Sequence, residues 1–116
     1  MSQWPMAEEL ALRYNDGKPQ LVFILDFPNA LEGLSRVKEF GASKYELHNW
    51  KRGRPFRDAI SSILRHLVAA QTEGFDKESG LPHIDHALWG IIALSEWYRT
   101  HSELNDYGPN INENNS

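Results

Sequence analysis

The chain contains no cysteine, which excludes disulfides and thiolate chemistry. No apolar run follows a basic N-terminal stretch, and none approaches the ~20 residues that a membrane helix needs. The expected location is therefore the cytoplasm, with no membrane partner. Nor is there a surplus of cations: the formal net charge is -4, which argues against a general nucleic-acid binder. The glycine-rich phosphate loop, the dinucleotide fingerprint, the nucleophile elbow and the HExxH metal pair are all missing. What is present is a chain of 116 residues, 41% apolar and 24% charged, which is enough for one domain with a modest core.

The patterning predicts a mainly α fold. Residues 1–14 suggest a short helix, with Pro5 in its first turn and Leu10 apolar. Asn15-Asp-Gly-Lys-Pro19 is a turn. The run Leu21–Leu25 is short, apolar and bounded by turn signals, so a buried strand or extended segment is expected there. Such a strand needs a pairing partner, possible from another subunit. Asn29, three residues before Glu32, predicts a helix N-cap, with a helix from Ala30 to about Tyr45 carrying Leu31, Leu34, Val37 and Lys38.

A second helix is expected from Pro55 or Phe56, ending before Gly74. Ile60, Ile63, Leu64, Leu67 and Ala70 form its apolar stripe, with Arg57, Ser61 and Arg65 on another. After a loop, Pro82 opens a third helix to about His101. Its apolar positions include Ala87, Leu88, Ile91, Leu94 and Tyr98. His83, His86, Gly90, Ala93 and Trp97 share a neighbouring stripe whose small residues permit close helix approach. The expectation is a small helical domain of three to four helices with a short extended N-terminal segment, spanning residues 1–104. A disordered polar tail follows over 105–116. Trp4, Trp89, Trp97 and the Leu21–Leu25 run are more large apolar groups than so few helices hide, so a homo-oligomer is expected.

Two turn-rich segments carry chemistry that a core does not need: Phe40–Gly53 and Glu78–His86. From Lys44 to Arg65 six cations (Lys44, Lys51, Arg52, Arg54, Arg57, Arg65) face only Glu46 and Asp58, an anion site inside an acidic chain. Aromatics interleave with them. Arginine grips phosphate through two parallel hydrogen bonds, lysine acts as a point charge, and an indole or phenol offers a face for a base. The candidate ligand-binding set is Lys44, Tyr45, Asn49, Trp50, Arg54, Arg57, Arg65, His66, His83 and His86. Trp50, in a turn among polar residues, is read as site rather than core.

Metal chemistry is the competing reading. His83 and His86 are three apart on one helix face, with His66 a third imidazole. Asp76, Glu78 and Asp85 supply oxygen donors for a hard cation. However, the Glu-x-x-Glu followed later by Glu-x-x-Asp that the all-α nucleotide pyrophosphohydrolases use is not found, and Glu73 and Asp76 make only an isolated pair. The expected site holds no metal, and Mg²⁺ or Zn²⁺ enters only if the protein hydrolyses its ligand.

Asn15-Asp-Gly-Lys-Pro19, Ala30-Leu31, Phe40-Gly-Ala42, Lys44-Tyr45, Asn49-Trp50, Gly53, Arg65-His66-Leu67, Glu78-Ser-Gly-Leu-Pro-His83 and His86-Ala87 together resemble a phage family, the dATP/dGTP diphosphohydrolase N-terminal domains. The resemblance spans roughly Asn15 to Tyr98. It implies a phage-encoded protein concerned with purine nucleotides. Two functions follow. One is a non-catalytic binder that captures a purine nucleotide, such as a cyclic dinucleotide serving as a host immune signal. The other is a metal-dependent hydrolase releasing pyrophosphate from dATP or dGTP. The absence of a carboxylate constellation favours the first, and with it a protein that is not an enzyme.

Overall fold

The structure, a computed structural model, describes residues 17–111. The helix expected over residues 1–14, together with Trp4, lies outside them. Among the described residues the fold is three α-helices, with short 3-10 turns before α1, between α1 and α2 and after α3, and no strand: α1 (Pro28–Lys44), α2 (Phe56–Ala69) and α3 (His83–Thr100). The mainly α reading holds. α3 packs against both α2 and α1, most extensively against α2.

The apolar run at the N-terminal side is not extended. Leu21–Asp26 forms a 3-10 helix with no buried residue, and Leu21 is 71% exposed. No neighbouring strand is present among the described residues, so an extended backbone would leave its amides unpaired. The 3-10 turn satisfies them locally, Phe23 N donating to Gln20 O at 3.0 Å and Phe27 N to Ile24 O at 3.1 Å.

α1 starts earlier than the Asn29 cap predicts. Pro28 occupies its first turn, where a missing N–H costs nothing and the fixed φ suits the helix. Leu31 N then closes the first bond onto Phe27 O at 3.0 Å. Asn29 sits inside the helix. Lys44 ends it on the side where the helix dipole favours a cation.

The buried faces of α2 and α3 are rotated from the apolar stripes. In α2 the deep positions are Phe56, Ala59 and Ile63, whereas Leu64 and Val68 are more than half exposed. In α3 they are His83, Ala87, Ala93 and Trp97, and Ile91 is half exposed. The neighbouring small-residue stripe of α3 therefore faces inward. The reason is steric: a methyl placed on Gly90 would come within 2.6 Å of Ile63 Cγ1, so the two helices approach more closely there than any larger residue allows. Trp89 and Trp97 are taken into this core, Trp89 in part. The large apolar groups left uncovered include the Leu21–Phe27 segment, Leu47, Phe75 and the outer faces of α2 and α3. The expectation of self-association rests on those.

The polar segment after Leu104 is tied down over its first residues rather than disordered. Asn105 Oδ1 accepts from Tyr107 N at 3.0 Å and Gly108 N at 3.1 Å, closing a turn, and Tyr98 Oη donates to Pro109 O at 3.3 Å. Residues 112–116 lie outside the described part. The anchor is Asp106, whose Oδ1 accepts from Arg57 N at 2.8 Å. α2 starts after Pro55, which has no side chain able to cap, so a carboxylate from far along the chain serves its exposed amide. Asp106→Ala is expected to cost about 1 kcal/mol, the usual value of a lost cap. Thermal unfolding followed by circular dichroism should show the drop, with Asp106→Asn close to the parent.

Candidate functional site

The site is built on the inward stripe of α3 and the turn that follows α1. Asn49–Arg52 forms a 3-10 turn ended by Gly53 at φ +75°. A side chain at Gly53 would be strained, and its Cβ would meet Leu104 Cδ1 at 2.7 Å. The turn is fixed to α3 by a part-buried bond: Trp97 Nε1 donates to Trp50 O at 3.0 Å. This sets the Trp50 ring edge-to-face against Trp89, with centroids 5.6 Å apart and planes at 77°. Lys38 of α1 lays its ammonium over both rings, 4.8 Å from the Trp50 centroid and 4.9 Å from that of Trp89.

Above this floor opens a cleft of about 310 Å³. Of the sequence-predicted set, Tyr45, Asn49, Trp50, Arg54, His66 and His86 line it. Arg54 donates to Ser62 Oγ at 3.1 Å and to Asp58 O at 3.2 Å, which fixes its guanidinium on the α2 wall. An adjoining cavity of about 320 Å³ shares Gly41, Tyr45, His66, His86 and Trp89 with the cleft and adds Lys44, Asp76 and Glu78. One compartment is aromatic, the next charged.

The charged compartment depends on the loop before α3. Asp76 Oδ1 accepts from Glu78 N at 3.0 Å and Ser79 N at 2.9 Å, and Gly80, at φ +74°, completes the turn. Those N–H groups, Ser79 first, hold the Asp76 carboxyl below the usual carboxylate range despite its partial burial. Ser79 Oγ accepts from Leu81 N and lies 2.7 Å from His86 Nε2. Lys44, at the end of α1, pairs with Glu78 across the mouth.

Three imidazoles meet against this loop. His66 stacks on His86, with centroids 4.7 Å apart and planes 8° from parallel. On its other side His66 Nδ1 is 3.0 Å from His83 Nδ1. Burial, then the neighbouring imidazoles of His86 and His83, hold His66 below the ordinary histidine range. Burial lowers His86 likewise, against the opposing pull of Asp76. Among the described residues the group with donors placed for a metal is His66, Asp76 and His83, whose ligand atoms all lie within 4.8 Å of one another.

Not every predicted residue arrives. Arg57 lies outside both cavities, its guanidinium 3.5 Å from Asp106 O. The fourfold spacing that put it on a stripe with Arg65 places it near the capped start of α2. Arg65 stops one residue short of the cleft, donating to Ser62 Oγ at 2.9 Å. His83 lies behind the imidazole pair and is only 6% exposed. Asp85 is not in the cluster, since its carboxylate fills the space beside Gly33 where α1 meets α3. Conversely, Lys38 and Trp89 were missed. A cation within the helical pattern of Leu31, Leu34 and Val37 was the available signal for Lys38. Nothing in the spacing marked Trp89 as other than core.

The family described as "dATP/dGTP diphosphohydrolase, N-terminal" matches residues 8–107. A protein named dATP/dGTP diphosphohydrolase, from Salmonella phage PMBT28, is 29% identical over 84 residues, which are 72% of this chain and 28% of that protein. The chain thus spans little more than a quarter of that relative's length. No solved structure matches. No helix among the described residues is long and apolar enough to cross a membrane.

Trp50 is both wall and core edge: it is half-buried and packs on the cluster of Phe56, Ala59, Ala93 and Trp97. Trp50→Ala is expected to cost about 2 kcal/mol, less than the ~3–5 of a fully buried tryptophan. The variant should still fold, with a lowered melting temperature and native far-ultraviolet circular dichroism.

Proposed function

The chain belongs to the dATP/dGTP diphosphohydrolase N-terminal family, and on that premise we propose that its cleft binds a purine deoxynucleotide. The base lies against the Trp50–Trp89 floor, and the phosphates extend into the charged compartment. The observation that carries this reading is the junction of the two cavities: an aromatic pocket of about 310 Å³, at the small end of ligand sites, opening onto a polar one through His66, His86 and Tyr45. A flat, apolar base and an anionic tail are what such a divided space separates.

Each wall has a task in this reading. Indole faces offer stacking worth ~1–3 kcal/mol per base. The Lys38 ammonium, held over both rings, keeps a cation beside the ring nitrogens of a purine. Arg54 and Ser62 line the α2 side and supply donors, and Asn49 offers an amide able to donate and accept. Lys44 stands where a phosphate oxygen can replace Glu78 as its partner. Sequestration of a cyclic dinucleotide draws no support from the family, whose name concerns dATP and dGTP. It enters as one competitor in the test.

Calorimetric titration with dATP, dGTP, pyrimidine deoxynucleotides and a cyclic dinucleotide should show a preference for the purine triphosphates. Arg54→Ala should weaken binding roughly tenfold to a hundredfold, as a charge-assisted hydrogen bond of ~1.5–3 kcal/mol implies. Trp50→Ala should weaken it comparably, measured below its melting temperature. Arg57→Ala should bind as the parent does. Equal loss on Arg57→Ala, or pyrimidine binding as tight as purine, would overturn the assignment of the cleft. The same mixtures, heat-denatured after incubation with and without a divalent cation, separate capture from catalysis. Intact nucleotide means capture, and monophosphate with pyrophosphate means hydrolysis.

A further inference from the structure

The charged compartment is ill suited, by itself, to a polyphosphate. Its lining offers Lys44, already paired with Glu78, and the imidazoles of His66 and His86, against the carboxylates of Asp76 and Glu78. An anionic ligand entering there meets at least as much negative as positive charge.

A second peculiarity lies behind it. His83 is 6% exposed, yet its Nε2 has no hydrogen-bond partner among the described residues, and Glu73 Oε2 stands 3.8 Å from it. Its Nδ1 faces His66 Nδ1 at 3.0 Å. Two imidazole nitrogens at hydrogen-bond distance, with one ligand atom from each of His66, Asp76 and His83 within 4.8 Å of the others, bring three metal-ligating groups together. Buried polar atoms are ordinarily paired, and an exception in a native fold calls for an explanation.

We propose that His66, His83 and Asp76 form a binding site for one divalent transition-metal ion. The two Nδ1 atoms and one Asp76 carboxylate oxygen are its protein ligands. In a tetrahedral zinc site with Zn–N bonds of ~2.0–2.1 Å, two nitrogen ligands stand about 3.3 Å apart. The observed 3.0 Å is close to that edge. Ligation through Nδ1 leaves the proton of His83 on Nε2, directed at Glu73, the placing of a carboxylate behind a metal-bound histidine. His86 is not a ligand; it stacks on His66 and, with Ser79, holds that ring. Three protein ligands leave a position open to water or ligand oxygen, the pattern of catalytic rather than structural zinc sites.

Two imidazoles and one carboxylate suit Zn²⁺ or Co²⁺ over Mg²⁺, which prefers oxygen throughout. The ion would lie beside His66, which lines both cavities, and would supply the positive charge the compartment lacks. That last argument rests on the nucleotide reading of the cleft; the ligand geometry does not.

The test uses metal alone. Untagged protein stripped with a chelator is titrated with Co²⁺ and Zn²⁺, without nucleotide, by visible absorption and calorimetry. One equivalent of Co²⁺ with a tetrahedral-type spectrum is expected, displaced by Zn²⁺, with Mg²⁺ unable to compete. His66→Gln and Asp76→Asn should each lower Co²⁺ affinity at least tenfold with unchanged circular dichroism, and the exposed His48→Gln should match the parent. Absence of a one-to-one Co²⁺ complex overturns the proposal, as does binding that survives both substitutions or falls equally in His48→Gln. Nucleotide binding by a protein that takes no metal removes this site and leaves the cleft assignment standing. Metal binding without nucleotide binding does the reverse.

Discussion

The close approach of α3 to its two neighbours is the constraint on which the rest of the structure depends. At Gly90 the Ile63 side chain occupies the space a methyl would need, and at Gly33 the Asp85 carboxylate does the same between α1 and α3. These two contacts set how near the helices lie and how they are rotated. With that rotation fixed, the positions at three- and four-residue spacing along α3 acquire successive tasks. His83 and His86 reach the imidazole cluster, Trp89 forms the floor, and Trp97 ties down the Trp50 turn. A larger residue at position 90 would move the site and the core together, because they are one surface.

The same contact explains which parts of the fold are legible in the sequence. Helix existence and approximate span follow from periodicity, and the stripe of His83, His86, Gly90, Ala93 and Trp97 is visible as one face. Its inward orientation is not decided by hydropathy, which instead favours Ile91 on α3 and Leu64 and Leu67 on α2. Small residues win because they let backbones approach, and the larger apolar groups are then left outside. Other differences have equally local causes. Proline at position 28 outweighs the Asn29 cap, and the Leu21–Leu25 run satisfies its amides within a 3-10 turn, with no strand beside it among the described residues.

For the site, spacing locates residues along a helix but says little about what lies across from it. Tyr45, Asn49, Trp50 and His86, from the two turn-rich segments, share the cleft with Arg54 and with His66 of α2. Arg57 does not, because its backbone is engaged by Asp106, a pairing across 49 residues that no local pattern reveals. Asp76 presents the opposite case. As one of several loop carboxylates it looks unremarkable, yet its two bonds to the following amides build the turn that sets it beside His66 and His83. A loop that folds around its own aspartate positions a functional group without any recognisable motif.

The electrostatic division of the site follows from that loop. Cations lie around the aromatic compartment, Lys38 over the indoles and Arg54 on the α2 wall, while the carboxylates gather at the other end beside imidazoles whose burial disfavours their charge. A purine placed on the indoles directs its phosphates toward the end where protein cations are fewest. Binding energy at that end must then come from something other than lysine and arginine. Neutral imidazoles and an ionised carboxylate are poor phosphate ligands but good metal ligands. On the proposed nucleotide reading, this distribution of charge would make the two compartments interdependent: the aromatic half would take the base, and a cation in the other half would make room for its phosphates.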